Sequence, residues 1–269
     1  MALGWIDLED YSFNSFLLLE RFQIHMMFRP DRDKKWRRRM GVALRANPAV
    51  RWCLEHRCPA RAEAIAQIAA QAPKANARKI HKAEIYVMKC AEDFITYTTP
   101  EVMDANCQFI RDWDRERLFE MADFEDKIVL DVGSGSGRLA FAAAARAREV
   151  YASEPVGTLR EFIREKAARE GMTNIRVAEA LADSIPYPDD TFDIVMSGHV
   201  VGDDWDTEIA ELTRVCKPGG WLLDCPGDET GRGKRHKKQN ELVKRGWEEM
   251  HYKGNGGGDV WRYRMQVEK

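Results

Sequence analysis

The chain has 269 residues, which is enough for one large domain or for a domain with an extension. Hydrophobic residues make up 44% of the chain and charged residues 32%, a composition typical of soluble globular proteins. The net charge of -2 combines an excess of six positive charges in residues 1–100 with an excess of eight negative charges in the remainder. This asymmetry is too modest to predict a nucleic-acid partner by itself.

The sequence also argues against the membrane and secretory classes of protein. No stretch approaches the length of a transmembrane helix. The N-terminus carries acids at Asp7, Glu9 and Asp10 and does not show a signal-peptide pattern. The six cysteines are scattered and do not suggest a disulfide framework. We therefore expect a cytoplasmic protein with no membrane partner.

Residues 1–99 are expected to form a helical extension of a domain in residues 100–269. Trp5–Phe28 is rich in aromatic and aliphatic residues, and we interpret it as one helix buried against the rest of the protein. A helix that covers the substrate or forms a homodimer is the alternative. Thr99 is predicted to cap the next helix, which has a proline in its first turn and is expected to run to about Phe119.

Two polar clusters in the extension have competing interpretations. Arginines and lysines flank Trp36 in the run 29–39, and such a pattern binds phosphate and stacks a base in some proteins. We favour a solvated helix face whose charges are paired locally. Cys53, His56 and Cys58 lie close together, but a structural zinc site needs four ligands and no second cysteine pair supports one. We therefore predict no metal site.

From Lys127 onward, short apolar runs alternate with amphipathic helical segments. The predicted strands, in chain order, are 127–132, 149–154, 175–177, 190–197, 221–225, 247–252 and 260–267. This alternation predicts an α/β fold: a doubly wound, Rossmann-like, seven-stranded sheet with right-handed crossovers, preceded by the helical extension. Ligands of such sheets bind at the carboxyl ends of the strands.

A glycine-rich loop follows the first predicted strand. Asp131 lies near the strand end, and Gly133, Gly135 and Gly137 follow at alternate positions before an alanine-rich helix. Glycine permits a sharp turn and close approach to a ligand, and a helix N-terminus favours acceptor and anionic groups. A dinucleotide-binding loop places its third glycine three residues after the second, whereas the interval here is two. The Asp-x-Gly-x-Gly-x-Gly spacing resembles motif I of the class I S-adenosylmethionine-dependent methyltransferases.

Two further stretches carry this resemblance. Residues 178–195 are similar to the family's segment between the adenine contact and the fourth strand, and residues 217–220 match its Lys-Pro-Gly-Gly turn. The resemblance covers about residues 127–224 and points to small-molecule, type 11-like members of the family. It implies S-adenosylmethionine as the cofactor. The residues implied for cofactor binding are Asp131, Gly133, Ser134, Gly135, Gly137, Glu154, Ala182, Asp183 and Ser197.

Individual roles follow from the same resemblance. Glu154 ends the second predicted strand, where a carboxylate can accept both ribose hydroxyls of an adenosyl group, although NAD-binding folds place an acid similarly. Ala182 and Asp183 fall at the adenine contact but depart from the commoner Gly-Asp-Ala form, so Glu179 is an alternative. Acceptors lie after the fourth strand in this family, which makes His199 the candidate catalytic base or substrate contact. A loop histidine bonded to the backbone is the equal alternative.

The sequence also supports expectations for four other residues. The segment before motif I closes over the cofactor in many of these enzymes, so Tyr97 is a candidate substrate contact, and a merely packed tyrosine is the equal alternative. Asp203 and Asp204 are expected to cap the next helix. Cys225 is interpreted as a packed strand residue and not as a nucleophile.

The leading function is therefore S-adenosylmethionine-dependent methylation of an unidentified small molecule. No Asn/Asp-Pro-Pro-Tyr/Phe sequence follows the fourth strand, which disfavours enzymes that methylate nucleic-acid amino groups. One alternative is an RNA methyltransferase that uses the basic segments 32–39 and 232–238, and another is a catalytically silent cofactor-binding scaffold. We expect a small-molecule methyl acceptor and no nucleic-acid partner, with a homodimer through the N-terminal helices as an open alternative.

Overall fold

The chain forms two compact units, Met1–Asn106 and Cys107–Lys269. The boundary lies after Asn106, whereas the sequence analysis placed it after Thr99, because the helix that begins at Pro100 packs on the helix before it. A computed structural model describes the following residues: 4–107, 110, 113–227, 237–254 and 258–269. Over these ranges, no helix is both long and apolar enough to cross a bilayer.

The first unit consists of short helices around an apolar core. Its α-helices are α1 (Arg21–Met27), α2 (Lys34–Ala46), α3 (Pro48–Arg57), α4 (Pro59–Ala70), α5 (Ala77–Lys89), α6 (Glu92–Tyr97) and α7 (Pro100–Asn106). Prolines begin α3, α4 and α7, where the missing N–H has no partner inside the helix and costs nothing. Phe16, Met40 and Leu54 are among the fully buried side chains that fill the core.

The prediction of a single helix over Trp5–Phe28 is wrong. This stretch forms two 3-10 helices, Leu8–Asp10 and Phe13–Leu18, before α1 begins. Local caps restart the chain, as at Glu20, which forms a capping box with the first turn of α1. The apolar side chains of the stretch are nevertheless buried, as expected: Phe13, Phe16, Leu19, Ile24 and Met27.

The predicted helix over residues 100–119 is also divided. α7 ends at Asn106, and α8 (Glu116–Phe119) is the next helix whose bounds the structure describes. The carboxylate of Asp114 accepts a hydrogen bond from the first backbone N–H of α8 at 3.1 Å. This Asx-turn directly before α8 favours a new helix start. Part of the predicted helix, within residues 108–112, lies outside the described residues.

The second unit contains a seven-stranded sheet, which confirms the predicted fold class. In chain order its strands are β1 (Ile128–Val132), β2 (Glu149–Ser153), β3 (Ile175–Ala178), β4 (Phe192–Ser197), β5 (Cys216–Asp224), β6 (Glu248–Lys253) and β7 (Asp259–Gln266). Their order across the sheet is β3-β2-β1-β4-β5-β7-β6. The first five strands are parallel, whereas β7 pairs antiparallel with β5 and with β6.

Helices pack against the parallel strands and bury them on both faces. The helices are α9 (Arg138–Ala144), α10 (Gly157–Arg169), α11 (Trp205–Val215) and α12 (Lys237–Lys244). Side chains alternate along each strand, so Val129 and Ile194 face one apolar core while Leu130 and Val195 face the other. Burial on two faces explains why the central strands are continuous apolar runs in the sequence.

The register of the sheet places the carboxyl ends of four strands at one level. Val132 of β1 lies beside Ser153 of β2 and Ser197 of β4, and Ser197 lies beside Asp224 of β5. The chain runs from β1 to β2 on one side and crosses back to β4 on the other, so the loops after β1 and β4 diverge. The crevice at such a switch point is where open α/β sheets bind ligands.

β5 begins at Cys216, earlier than the predicted start at residue 221, and it contains the Lys-Pro-Gly-Gly turn. Gly220 lies close to two backbone carbonyl groups. A Cβ atom at this position would lie 2.7 Å from the Asp193 oxygen and 2.9 Å from the Lys217 oxygen. The entry of β5 into the sheet therefore requires a residue without a side chain at Gly220.

We expect Gly220→Ala to lower the free energy of unfolding by about 1–3 kcal/mol, because backbone carbonyls cannot move aside as a flexible side chain does. Gly219→Asn is the matched control, since nothing lies within 4 Å of a Cβ at Gly219 and Asn tolerates its φ of 76°. Urea denaturation measures both variants. Equal stabilities would contradict the steric argument.

Candidate functional site

The glycine loop between β1 and α9 is held against the end of β2 by main-chain hydrogen bonds. The backbone N–H groups of Gly133 and Ser134 both donate to the Ser153 carbonyl oxygen, at 2.8 and 3.0 Å. The φ angles are 67° at Gly133, 58° at Gly135 and 92° at Gly137. Glycine adopts these left-handed conformations without strain, so the three predicted glycines shape the loop.

Glu154 follows β2 and supports the loop from the side. Its carboxylate accepts hydrogen bonds from the backbone N–H groups of Gly135 at 2.8 Å and Val156 at 2.9 Å, and the residue is only 4% exposed. Burial raises the pKa of Glu154 to about 7; the Asp131 charge adds to this shift, whereas the two N–H donors and Arg160 oppose it. Each carboxylate oxygen has a second lone pair, so the group retains acceptor capacity for a ligand.

Asp131 lies inside β1, one position before the strand ends. It is 1% exposed, and its Oδ2 atom accepts no hydrogen bond from any residue that the structure describes. Burial raises the pKa of Asp131 to about 7, and the Arg138 guanidinium and Ser134 oppose this shift. The Ser134 hydroxyl also donates to the Asp131 carbonyl oxygen at 2.9 Å. Asp131 and Glu154 thus place two buried carboxyl groups beside one glycine loop.

Three buried hydroxyl groups lie at the same edge of the sheet. Ser153 and Ser197 flank Val132 at the strand ends, and Ser136 lies in the loop itself. Each of these serines is 1% exposed or less, and its Oγ atom has no hydrogen-bond partner within the described part of the chain. Ser197 was predicted from the sequence, whereas Ser136 and Ser153 were missed, although each stands next to a residue of the predicted site.

The segment predicted to contact adenine forms a tight turn after β3. The backbone N–H of Ser184 donates to the Leu181 carbonyl oxygen at 3.1 Å, so Ala182 and Asp183 occupy the two central positions of the turn. Ala182 is half-buried and Asp183 is exposed. The contact of these residues with adenine stays a prediction.

Arg160 connects the ends of β2 and β3. Its guanidinium donates to the carbonyl oxygens of Glu154 and Pro155, each at 2.7 Å, and forms an ion pair with Glu179 at 3.0 Å. Glu179 is the alternative candidate for the adenine contact. One of its carboxylate oxygens is therefore already engaged in an ion pair with Arg160. Arg160 was not singled out from the sequence, because its contacts are with main-chain oxygens that no side-chain pattern reveals.

His199 stands in the turn after β4. It is exposed, and its φ of 64° lies in the left-handed region that residues other than glycine rarely adopt. Its Nε2 atom accepts a hydrogen bond from the Gly227 backbone N–H at 3.1 Å, which fits the backbone-bonded interpretation. Val200, the next residue, packs over Gly133, where a Cβ atom would come within 2.4 Å of the valine Cγ2. A catalytic role for His199 stays a prediction.

Arg138, the first residue of α9, is the main site residue that the sequence analysis missed. Its guanidinium donates to the Cys225 carbonyl oxygen at 2.5 Å and lies 4.6 Å from the ring centroid of Trp113. A Cβ atom on Gly198 would lie 2.8 Å from the Arg138 Nη2 atom, so the turn after β4 packs closely on it. Arg138 thereby joins the ends of β4 and β5 beside Asp131. The available signal was its position directly after the third loop glycine.

The structure also locates Tyr97, Asp204 and Cys225, for which the sequence analysis stated expectations. Tyr97 ends α6 in the first unit, with its ring 6.3 Å from that of Trp5, and its role as a substrate contact stays a prediction. Asp204 caps α11 through its side chain, as expected. Cys225 is buried, and its thiol lies 3.5 Å from the Met121 sulfur. Burial raises the pKa of Cys225 to about 12, which fits a packed residue and not a nucleophile.

Cys53 and His56 lie in α3, and Cys58 directly follows this helix. The structure gives His56 and Cys58 different surroundings. The His56 ring stacks on Trp52, with 3.9 Å between the ring centroids, and Cys58 is buried in the core. Within the described ranges, His, Cys, Asp and Glu side chains form no group of three or more that is placed to hold a metal ion.

Part of the chain is similar in sequence to known proteins. Residues 129–220 match the family model described as a methyltransferase domain. An uncharacterised protein of Mycobacterium tuberculosis is 37% identical over 96 residues, which is 35% of each chain. Demethylmenaquinone methyltransferase of Deinococcus radiodurans is 33% identical over 117 residues, which is 42% of this chain and 48% of that protein. The chain thus spans 35% to 48% of the length of these curated relatives.

A solved structure is similar in fold to a large part of this chain. The crystal structure of a SAM-dependent methyltransferase from Aquifex aeolicus matches with a TM-score of 0.51. The match covers 64% of this chain and 98% of that one, at 21% identity. This likeness supports the Rossmann-like fold described above.

The two raised carboxyl groups predict how stability depends on pH. The pKa values of Asp131 and Glu154 are about 7 in the folded chain. Ordinary carboxyl values near about 4 apply in the unfolded chain, so the folded state binds more protons between about pH 4 and pH 7. We expect the free energy of unfolding to fall as the pH rises through this window, by at most about 1.4 kcal/mol per pH unit for each group.

The variant Asp131→Asn removes one of the two titrating groups and checks this expectation. Urea denaturation at several pH values should give a shallower fall in stability for the variant than for the wild type. Below about pH 4 both states hold these protons and above about pH 7 both have lost them, so the two curves should run parallel outside the window. Parallel curves inside the window would contradict the assignment.

Proposed function

We propose that the chain, which matches a methyltransferase domain over residues 129–220, is a class I S-adenosylmethionine-dependent enzyme that transfers a methyl group from this cofactor to a small-molecule acceptor. The observation that carries the proposal is the glycine loop at the switch point of the sheet, flanked by the buried carboxyl groups of Asp131 and Glu154. S-adenosylmethionine carries hydroxyl donors on its ribose and positive charge on its sulfonium and its amino group. Buried carboxyl groups complement both features.

The described residues fit this cofactor. Glu154 keeps acceptor capacity for the ribose hydroxyls, and the Oδ2 atom of Asp131 has no donor among the described residues. When bound, S-adenosylmethionine supplies a methyl group that is already activated on a sulfonium, so the main task of the protein is alignment. We assign the remainder of the cofactor site to Gly133, Ser134, Gly135, Gly137, Ala182, Asp183 and Ser197.

We assign the acceptor side to the turn after β4. The hydrogen bond from the Gly227 N–H holds the His199 ring against the segment after β5. Arg138 positions both segments, through the Cys225 carbonyl oxygen and through its close packing on Gly198. His199 contacts the acceptor, and it takes the proton of a hydroxyl acceptor once the Gly227 N–H has released Nε2.

Two observations favour a small acceptor. The turn after β4 begins with Ser-Gly-His and lacks the sequence that enzymes methylating nucleic-acid amino groups carry there. The relative from Deinococcus radiodurans is a demethylmenaquinone methyltransferase, and its match includes 48% of that protein. Both support a small-molecule acceptor over RNA for the transfer reaction.

Calorimetry and product identification test the proposal. We expect S-adenosylmethionine and its demethylated product to bind, and NAD not to bind, because of the glycine spacing after Asp131. The protein is then incubated with methyl-labelled cofactor and with separate small-molecule and RNA fractions of a cell extract. Label should enter the small-molecule fraction. Tight NAD binding without S-adenosylmethionine binding would refute the cofactor, and label in RNA alone would refute the acceptor class.

We expect Glu154→Ala to weaken cofactor binding roughly tenfold or more, because a charge-assisted hydrogen bond contributes about 1.5–3 kcal/mol. The melting temperature should also fall, since the N–H groups of Gly135 and Val156 lose their acceptor. Glu165→Ala is the matched control: it removes an exposed carboxylate of α10 and should change the affinity by less than about twofold. An unchanged dissociation constant for Glu154→Ala would remove this residue from the site.

A further inference from the structure

Helices α2 and α5 of the first unit present a surface with one predominant sign of charge. α2 carries six basic residues and no acidic residue, and α5 carries four basic residues and one acidic residue. The helices lie side by side, since the Arg39 guanidinium donates to the Lys82 carbonyl oxygen at 3.4 Å. We name this surface the α2–α5 basic face. Its exposed cations are Lys34, Lys35, Arg38, Arg78, Lys79, Lys82 and Lys89.

Within the part of the chain that the structure describes, neighbouring acids are not paired with the exposed lysines and arginines of the basic face, although Glu9 lies 3.5 Å from His81 of α5. Among the described residues, no acidic side chain forms an ion pair with any of its seven exposed cations. The acidic residue of α5, Glu84, accepts a hydrogen bond from the Asn47 side chain at 2.6 Å, and Asp33 caps α2 through the Trp36 N–H at 2.8 Å. The sequence expectation of locally paired charges in the run 29–39 is therefore wrong for the exposed cations of α2.

The spacing of these cations suits a repeating polyanion. With 3.6 residues per turn, Arg78, Lys82 and Lys89 fall within roughly 40° of one another around α5 and span about 16 Å along its axis. Lys35 and Arg39 lie one turn apart on the side of α2 that meets α5. Two rows of cations therefore run beside each other, and their fields add.

The chemistry of the face selects among anionic partners. The exposed large hydrophobic side chains of the described residues lie elsewhere: Leu18, Trp52, Leu181 and Val243. A helix in a membrane interface needs an exposed apolar face, and the centre of a protein interface is depleted in lysine. Tyr86 is flanked by Lys35 at 4.9 Å and Arg39 at 5.6 Å, so its ring stabilises these cations and offers little surface to a base.

We propose that the α2–α5 basic face binds nucleic acid through the phosphate backbone, without reading base sequence. Phosphate contacts by lysine and arginine provide the sequence-independent part of affinity, and counterion release makes that affinity depend strongly on salt. This binding goes beyond the proposed methyl transfer and departs from the expectation, drawn from the sequence, of no nucleic-acid partner. It does not require nucleic acid to be the methyl acceptor. The face includes most of the basic segment 32–39, whereas residues 232–236 of the other segment lie outside the described residues.

Fluorescence anisotropy with a short, labelled, single-stranded RNA of mixed sequence tests the proposal on the full-length protein. The variant Arg38→Glu/Lys82→Glu reverses one exposed cation on each helix, and neither side chain has a hydrogen bond or ion pair with the described residues. Arg148→Glu/Arg169→Glu, at exposed positions of the second unit, is the matched control with the same change in net charge. Circular dichroism checks the fold of both variants, and Lys89→Glu provides an independent single reversal on the same face.

We expect the wild type and the control to bind RNA, with an affinity that falls steeply between about 50 and 200 mM salt. The Arg38→Glu/Lys82→Glu variant should bind at least roughly tenfold more weakly. Its salt slope should fall by about 1.4, since each phosphate contact with a single strand contributes about 0.7. Lys89→Glu should weaken binding in the same direction, with a slope change of about 0.7.

Three outcomes would overturn the proposal. The first is equal RNA affinity for the reversal variants and the control. The second is no RNA binding by the wild type at about 50 mM salt, where phosphate contacts are strongest. The third is binding of the wild type to vesicles of phosphatidylserine and phosphatidylcholine with no binding to RNA, which would assign the face to a membrane surface. None of these outcomes depends on whether the methyl acceptor has been identified.

Discussion

The candidate site depends on the burial of two carboxyl groups beside one glycine loop. The Glu154 carboxylate binds the N–H groups of Gly135 and Val156, and so ties the loop after β1 to the end of β2. Burial raises the pKa of each carboxyl group to about 7, and the Asp131 charge adds to the shift of Glu154. Burial of this kind lowers the stability of the free chain, but it provides the acceptor groups that a hydroxyl-bearing, cationic cofactor requires.

Arg138 partly offsets the effect of burial on Asp131. Its other contacts reach the turn after β4, which we assign to the acceptor. Its guanidinium opposes the rise in the pKa of Asp131. It also contacts the Trp113 ring and the Cys225 carbonyl oxygen after β5, and it packs closely on Gly198 after β4. One side chain therefore connects the cofactor side with the turn that holds His199. Because a guanidinium keeps its charge at every relevant pH, this connection does not titrate with the two carboxyl groups.

Local sequence patterns predicted the sheet and the loop because both depend on neighbouring residues. β1 and β2 end within one residue of their predicted bounds, and the glycine spacing specifies a loop with positive φ angles. The contacts of Arg138 could not be predicted in this way, since Arg138 and Cys225 are 87 residues apart in the chain. Trp5–Phe28 was misassigned for another reason: its apolar residues are buried as expected, but caps such as that at Glu20 interrupt the helix.

The packing of Val200 on Gly133 limits how the protein can acquire new acceptors. The glycine leaves the volume that the valine methyl groups fill, so the cofactor loop and the acceptor-side turn share one steric boundary. In directed evolution, a larger side chain at position 200 would displace the glycine loop that we assign to the cofactor. We therefore expect substitutions at position 200 that admit new acceptors to weaken cofactor binding. Substitutions that broaden the range of acceptors should accumulate instead on the side of His199 that faces away from Gly133.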